Sequence, residues 1–337
     1  MRILVTGGTG YIGSHTCISL AEAGYEPIIF DNLRNSKIAV LERLSQIIGR
    51  KLQFYEGDIL DQTSVERILK EERIEAVIHF AGLKAVGEST TVPLHYYQNN
   101  VAGTVSLLQA MHGCNVRSLI FSSSATVYGD PERSPIPETA PLSATNPYGR
   151  SKLIIEQMLG DLAAADQRWS LVILRYFNPV GAHPCGLIGE DPQGIPNNLL
   201  PYMAQVAVGR RETLEVFGSD YPTKDGTGVR DYIHVMDLAE GHVRALDVYA
   251  RETGLFTFNL GTGCGYSVLE MVAAFSRASG RDIPYRLTAR RPGDIAECFA
   301  DPSRARADLD WVARRDLTAM TEDAWRWQSR NPQGFGD

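Results

Sequence analysis

The chain has 337 residues, 44% of them apolar and 22% charged, with a net charge of −7. That length predicts roughly two domains with a sizeable core, and the composition excludes disorder across the body of the chain. The acidic balance disfavours a dominant nucleic-acid role, which needs a basic face, but leaves room for a local basic pocket that takes a small phosphorylated ligand.

The five cysteines are Cys17, Cys114, Cys185, Cys264 and Cys298, an odd number with no CxxC pair. They read as a reduced, intracellular chain with neither a disulfide frame nor a zinc site. No basic-then-apolar leader precedes the strand-like run from Arg2 to Thr6, and no apolar stretch approaches the roughly 18 residues of a membrane helix. The expected location is cytoplasmic.

Strand and helix patterns alternate along the first half. Ile3-Leu4-Val5 is a short apolar run, followed by glycines and an amphipathic stretch from about Ile12 to Ala23, which Gly24 closes. Further strands are predicted at Pro27–Phe30, ending at Asp31, at Leu52–Tyr55, ending near Asp58, and at Ala76–Phe80, Leu119–Phe121 and Leu171–Leu174. Short buried strands separated by helices imply right-handed βαβ units, hence an α/β fold with a Rossmann-type doubly wound parallel sheet. Ligands in such sheets bind at the carboxyl ends of the strands. No internal repeat or low-complexity tract interrupts the pattern.

Gly7-Gly8-Thr9-Gly10-Tyr11-Ile12-Gly13 lies between the first strand and the first helix. Gly7, Gly10 and Gly13 suit a tight turn and a close approach of backbone to pyrophosphate, both of which exclude a β-carbon. The helix start then offers free N–H groups and a positive dipole end to the phosphates. Alone, a spaced glycine triplet also describes an ordinary Gly-rich turn; its placement between strand and helix, with Asp31 ending the next strand, makes it a dinucleotide site. A carboxylate at Asp31 would hydrogen-bond the ribose hydroxyls and repel a 2′-phosphate, which favours NAD over NADP, although Arg34 stands nearby. Asp58 suits either the adenine edge or a turn after a strand.

Phe121-Ser122-Ser123-Ser124 ends the fifth strand, at the cofactor edge of the sheet. Downstream, Tyr148-Gly149-Arg150-Ser151-Lys152 stands just inside a helix that Pro147 helps to start. The i, i+4 spacing puts Tyr148 and Lys152 on one face. A free tyrosine, with a pKa of about 10, is a poor base at neutral pH; a neighbouring ammonium and a positive nicotinamide are expected to lower it. Ser124 would bridge the substrate hydroxyl to the tyrosine oxygen. A Tyr–Lys pair four apart is common by chance, and it is the glycine loop and the strand-end serines in the same chain that make hydride chemistry the expected reading.

These residues resemble the extended short-chain dehydrogenase/reductase superfamily. Longer motifs resemble its UDP-hexose 4-epimerase branch: Thr6 to His15, His79 to Ser89, Ser122 to Gly129, Arg175 to His183 and Asp225 to Val235. The resemblance runs from Met1 to about Phe335. It implies an isomerase that interconverts UDP-galactose and UDP-glucose through bound NAD. Tyr148 would take the proton of the sugar 4-hydroxyl, the hydride would pass to NAD, and the 4-keto sugar would swing over and take the hydride back on its other face. Lys152 would tune Tyr148 and hold the nicotinamide ribose. Tyr11, Ile12, Asp31, Asn32, Asn35, Ser36, Asp58, Ile59, Phe80, Ala81, Gly82, Lys84, Asn99 and Phe177 match further cofactor positions.

By the same resemblance, Asn178, Asn198, Leu199, Phe217, Arg230, Arg291 and Asp294 line the UDP site, where guanidinium groups suit pyrophosphate. Cys298 falls where side-chain size gates the sugar 2-substituent. A small residue there implies that UDP-GlcNAc and UDP-GalNAc are accepted too; a plain buried cysteine is the alternative. The implied division is an NAD domain over residues 1–177 and a smaller α/β substrate domain over 178–337, with chain crossings between them. A homodimer is expected through helical stretches near 95–112 and 148–165. His79, His183 and His234 lack metal-ligand spacing, and no metal is expected. Two rivals are a nucleotide-sugar 4,6-dehydratase, whose Asp-Glu pair beside the Ser124 position is replaced here by Ser123 and Ala125, and a non-enzymatic NAD sensor, which could dispense with Ser124, Tyr148 and Lys152.

Overall fold

A computed structural model of the chain describes residues 1–291 and 293–336. Its first half runs β1 (Arg2–Thr6), α1 (Tyr11–Glu22), β2 (Glu26–Asp31), α2 (Ala39–Ile48), β3 (Gln53–Glu56), α3 (Gln62–Glu71) and β4 (Ala76–His79). Then come α4 (Val86–Thr91), α5 (Pro93–Tyr96), a π-helical turn (Tyr97–Ala102), α6 (Gly103–Gly113), β5 (Ser118–Ser124), a 3-10 turn (Ala125–Tyr128), α7 (Pro147–Ala165) and β6 (Ser170–Tyr176). The second half gives β7 (Asn178–Val180), α8 (Leu199–Ala207), β8 (Leu214–Phe217), β9 (Val229–Arg230), β10 (Tyr232–His234), α9 (Val235–Tyr249) and β11 (Gly254–Leu260). It closes with β12 (Tyr266–Ser267), α10 (Val268–Ser279), β13 (Tyr285–Thr288), β14 (Glu297–Cys298), α11 (Ser303–Leu309) and α12 (Leu317–Arg330).

Seven strands form one parallel sheet in the order β11-β6-β5-β4-β1-β2-β3. The six strands expected from the sequence overlap β1 to β6, with Leu52 and Phe80 falling one residue outside β3 and β4. Successive side chains point to opposite faces, and both faces of the inner strands are covered, which is why those strands read as apolar runs; the edge strand β3 is exposed at both ends. Ile3, Val5, Ile29 and Ile78 meet Cys17, Leu20, Leu44 and Leu246 on one side. Leu4, Ile28, Val77 and Phe121 meet Ile68, Leu107, Met111 and Leu159 on the other. Each fully buried Leu or Ile contributes about 1.5–3 kcal/mol of burial.

The seventh strand was not anticipated. β11 lies at the sheet edge beside β6, from Gly254 opposite Ser170 to Leu260 opposite Tyr176, and α9 packs on α1. The chain therefore crosses back into the large sheet well beyond residue 178. A separate core, with Met203, Val216, Met271, Phe275 and Met320, joins α8, α10, α12 and β8. Two short sheets, β12-β9-β14 and β13-β8, flank it. No helix among the described residues is long and apolar enough to cross a membrane.

Candidate active site

A cavity of about 470 Å³ opens at the carboxyl ends of the central strands. Its floor is the turn between β1 and α1. Gly7 has φ +70, and a β-carbon on it would lie 2.8 Å from the Ala81 backbone nitrogen. A β-carbon on Gly13 would collide with the Gly7 carbonyl. Only bare backbone fits in this cradle. α1 starts at Gly10 without a side-chain cap, and Gly10, Tyr11, Ile12 and Gly13 all line the cavity. The uncapped N–H groups are what a pyrophosphate needs, so these residues fit a dinucleotide.

The end of β2 supplies the acidic wall. Asp31 is buried; its Oδ2 accepts the Thr9 N–H at 3.1 Å, and its Oδ1 accepts Leu33 N–H at 2.9 Å and the Ser36 hydroxyl at 3.1 Å. The carboxylate thereby ties the glycine loop to the loop after β2. Asn32, Asn35, Ser36, Ile59, Phe80, Ala81, Gly82, Lys84 and Asn99 line the same cavity. Asp58 stands apart from that lining, and its bonds are those of the turn reading: Oδ1 accepts Leu60 N–H at 2.9 Å and Oδ2 accepts the Asn32 amide at 2.9 Å.

The far end brings the three expected catalytic residues together. Asn146 caps α7 by accepting the Gly149 N–H at 2.8 Å, and Pro147 opens the helix, which fixes Tyr148 in its first turn. Tyr148 and Lys152 both line the cavity. Ser124 Oγ accepts from Thr126 N at 3.2 Å and from Thr126 Oγ1 at 3.0 Å. With its acceptor sites filled, the Ser124 hydroxyl has its proton to offer. Burial pushes the Tyr148 phenol above its ordinary value, while Ser124 pulls it the other way. The lowering expected from Lys152 does not appear in this geometry. Lys152 is buried, donates to the Ser122 carbonyl at 2.6 Å and lies 4.8 Å from the Phe121 ring centre. Burial brings its ammonium down to about 8, opposed by Glu156.

The expected UDP residues fall into neighbouring groups. Arg291 pairs with Asp294 at 2.9 Å and lies over the Phe217 ring at 4.7 Å. Arg230 on β9 sits opposite Cys298 on β14. Asn178 pairs with Tyr232 between β7 and β10, and the Tyr232 phenol, pushed up to about 12 by burial, feels both Arg230 and Arg291. Cys298 packs against a buried cluster that includes Ala125, Val127, Tyr128 and Phe177. Burial raises its thiol to about 11, so it stays neutral. Asn198 and Leu199 stand at the start of α8.

Two features were missed. Asn100, buried in the π-helical turn, receives the Leu83 N–H at 2.8 Å and donates to the Leu83 carbonyl and to Ser151 Oγ, both at 3.0 Å. It locks α7 to the loop after β4. The adjacent Asn99-Asn100 pair inside a helical stretch was the available signal. Glu190, with its side chain 8% exposed, pairs with Lys84 at 3.1 Å and accepts the Asn198 amide at 3.0 Å. It links a cofactor position to a substrate position, and nothing in its local sequence marks it.

A nucleotide cradle and a Tyr–Lys pair in one cavity, with the strand-end Ser124 hydrogen-bonded to the tyrosine, define a dinucleotide-dependent enzyme that moves hydride. Residues 3–261 match the NAD dependent epimerase/dehydratase family, and the chain belongs to it. More particularly, it is 62% identical over 335 residues to the UDP-glucose 4-epimerase of Bacillus subtilis, covering 99% of each chain. Among solved structures, the UDP-glucose 4-epimerase from Bifidobacterium longum in complex with NAD+ and UDP superposes with a TM-score of 0.96 at 53% identity, over 99% of this chain and 100% of that one. The Stenotrophomonas maltophila UDP-glucose-4-epimerase, with bound NAD and formylated UDP-arabinopyranose, gives 0.97 at 51%, over 99% of each.

Proposed function

We infer that this chain is a UDP-glucose 4-epimerase that interconverts UDP-galactose and UDP-glucose. One observation carries the reading: Tyr148 and Lys152 line the same cavity as the glycine cradle, with Ser124 beside them. NAD, held by the glycine cradle and Asp31, would supply a hydride acceptor for the sugar carbon and a positive ring that favours the phenolate. Tyr148 holds the proton of the sugar 4-hydroxyl, and Ser124 donates to the oxygen it leaves. Lys152 holds positive charge under the site and orients the ribose. Arg230, Arg291, Asn178, Asn198, Leu199, Phe217 and Asp294 hold UDP, so the hexose can turn and present either face while the nucleotide stays fixed.

The dehydratase reading has no support beside Ser124. Ser123 is buried and donates to Glu156, and Ala125 is apolar, so neither can expel water from a sugar. Replacing Tyr148 by phenylalanine tests the epimerase and the sensor readings together. Turnover of UDP-galactose is expected to fall by about 10²–10⁴, the usual contribution of a positioned acid–base group, with NAD still bound. Undiminished turnover would remove the tyrosine from the mechanism.

We further propose that Cys298, a small side chain packed against the cluster that includes Ala125 and Phe177, leaves room for a 2-acetamido group. Installing Cys298→Tyr should abolish UDP-GalNAc turnover and spare UDP-galactose; equal survival of both activities would contradict the gate. NAD is assigned to the 1–177 half and UDP to the 178–337 half, with β11 and α9 crossing back. The exposed Leu94, 82% accessible at the head of the 95–112 stretch, suits a homodimer face, and five free thiols suit a reducing cytoplasm.

A further inference from the structure

The cavity has a wall made by three segments far apart in sequence. Lys37, Asp191 and Phe335 all line it. Lys37 Nζ donates to the Gly336 carbonyl at 3.1 Å and lies 3.5 Å from Asp191 Oδ2. The same carboxylate oxygen accepts the Phe335 N–H at 3.0 Å. The Phe335 ring meets Trp327 of α12 at 4.6 Å, and the Trp327 indole donates to the Glu190 carbonyl at 3.3 Å. Gly334 has φ +79, and a β-carbon there would collide with the Asp191 carboxylate.

The side chains of Lys37 and Asp191 are only 31% and 11% exposed, so their attraction is less screened than that of a surface pair. Lys37 directly follows Asn35 and Ser36, on the loop that Asp31 organises. Asp191 directly follows Glu190, which reaches Lys84 and Asn198. The tie therefore spans the mouth from the β2–α2 loop to the substrate side, with residues 334–336 as the strap between them.

We propose that Lys37, Asp191 and the 334–336 strap form a latch that retains NAD in the cavity. The proposal rests on the NAD reading of that cavity. Departure of the dinucleotide requires the ion pair, the Phe335 N–H bond and the Phe335–Trp327 contact to open together. An epimerase that returns its hydride to the same dinucleotide has no need to exchange it, so a closed mouth costs no turnover. A dehydrogenase, which must release reduced cofactor every cycle, could not carry such a latch.

The test is NAD release from the intact protein. Load the protein with radiolabelled NAD, dilute it into excess unlabelled NAD, and follow the label that stays bound. Gly334→Ala displaces the strap from a position that does not line the cavity. Asp191→Asn keeps an acceptor for the Phe335 N–H, leaves the fold intact, and removes the charge facing Lys37. Both variants are expected to release label about tenfold faster than the parent. Release at the parent rate in both overturns the latch. A parent protein that takes up no label and also releases no dinucleotide when denatured overturns the NAD reading beneath it.

Discussion

At the scale of single residues, Lys152 makes the site sensitive to pH. Burial holds its ammonium at about 8, so the charged form dominates below that pH and is lost above it. Turnover that depends on the charge is expected to fall as pH rises through about 8. Replacing Lys152 by methionine should lower activity throughout and flatten that limb; an unchanged alkaline limb would assign it to another group. The glycine cradle makes an equally local prediction. Gly13→Ala places a β-carbon against the Gly7 carbonyl, which is backbone and cannot yield cheaply. The variant should purify without dinucleotide, as absorbance and release assays would show. Gly7, Gly13, Asp31, Tyr148 and Lys152 were legible in the sequence because each stands in a local pattern: a glycine triplet between strand and helix, an acid ending the next strand, and a Tyr–Lys pair four apart on a helix. Glu190 was not, because its partners Lys84 and Asn198 meet it only in the fold. The expected lowering of Tyr148 by Lys152 also failed at this scale: the ammonium is aimed at the Ser122 carbonyl, and burial prevails.

At the scale of elements, α7 carries the chemistry and is anchored from behind. Tyr148, Lys152 and Glu156 recur every four residues along it. Glu156 takes Arg175 of β6 in a bidentate pair, at 3.1 and 2.6 Å, and also accepts the Ser123 hydroxyl. Both side chains are almost fully buried. The pair fixes α7 against β6, and the Ser123 bond fixes it against β5, the strand that ends in Ser124. Removing one partner leaves a buried charge unpaired, so Glu156→Ala is expected to lose about 3–5 kcal/mol of stability. Exchanging both for apolar residues, as in Glu156→Leu with Arg175→Met, should recover most of it. Denaturant unfolding of the single and double variants measures this; a single variant as stable as the parent would contradict the anchor. Five of the six strands of the first half were readable because near-continuous burial leaves apolar runs; β3, an edge strand, was readable from its short aromatic pair Phe54-Tyr55 between turn residues. β11 was not, because an edge strand is partly exposed and its apolar positions are broken by Thr257 and Asn259. Asn259 nevertheless supports the site, accepting the Tyr128 hydroxyl at 2.7 Å.

At the scale of the whole molecule, the glycine cradle, Asp31, Tyr148 and Lys152 come from different stretches of chain and line one cavity. On the proposed reading, one half would fix a dinucleotide against bare backbone, and the other would grip a nucleotide by its phosphates and leave the sugar to rotate. The most direct measurement is to incubate the purified protein with UDP-galactose, add no NAD, and follow UDP-glucose. Conversion without added cofactor is the predicted result, since NAD stays in the cavity between turnovers. Failure to convert even after NAD is supplied would contradict the epimerase assignment and direct attention to another nucleotide sugar.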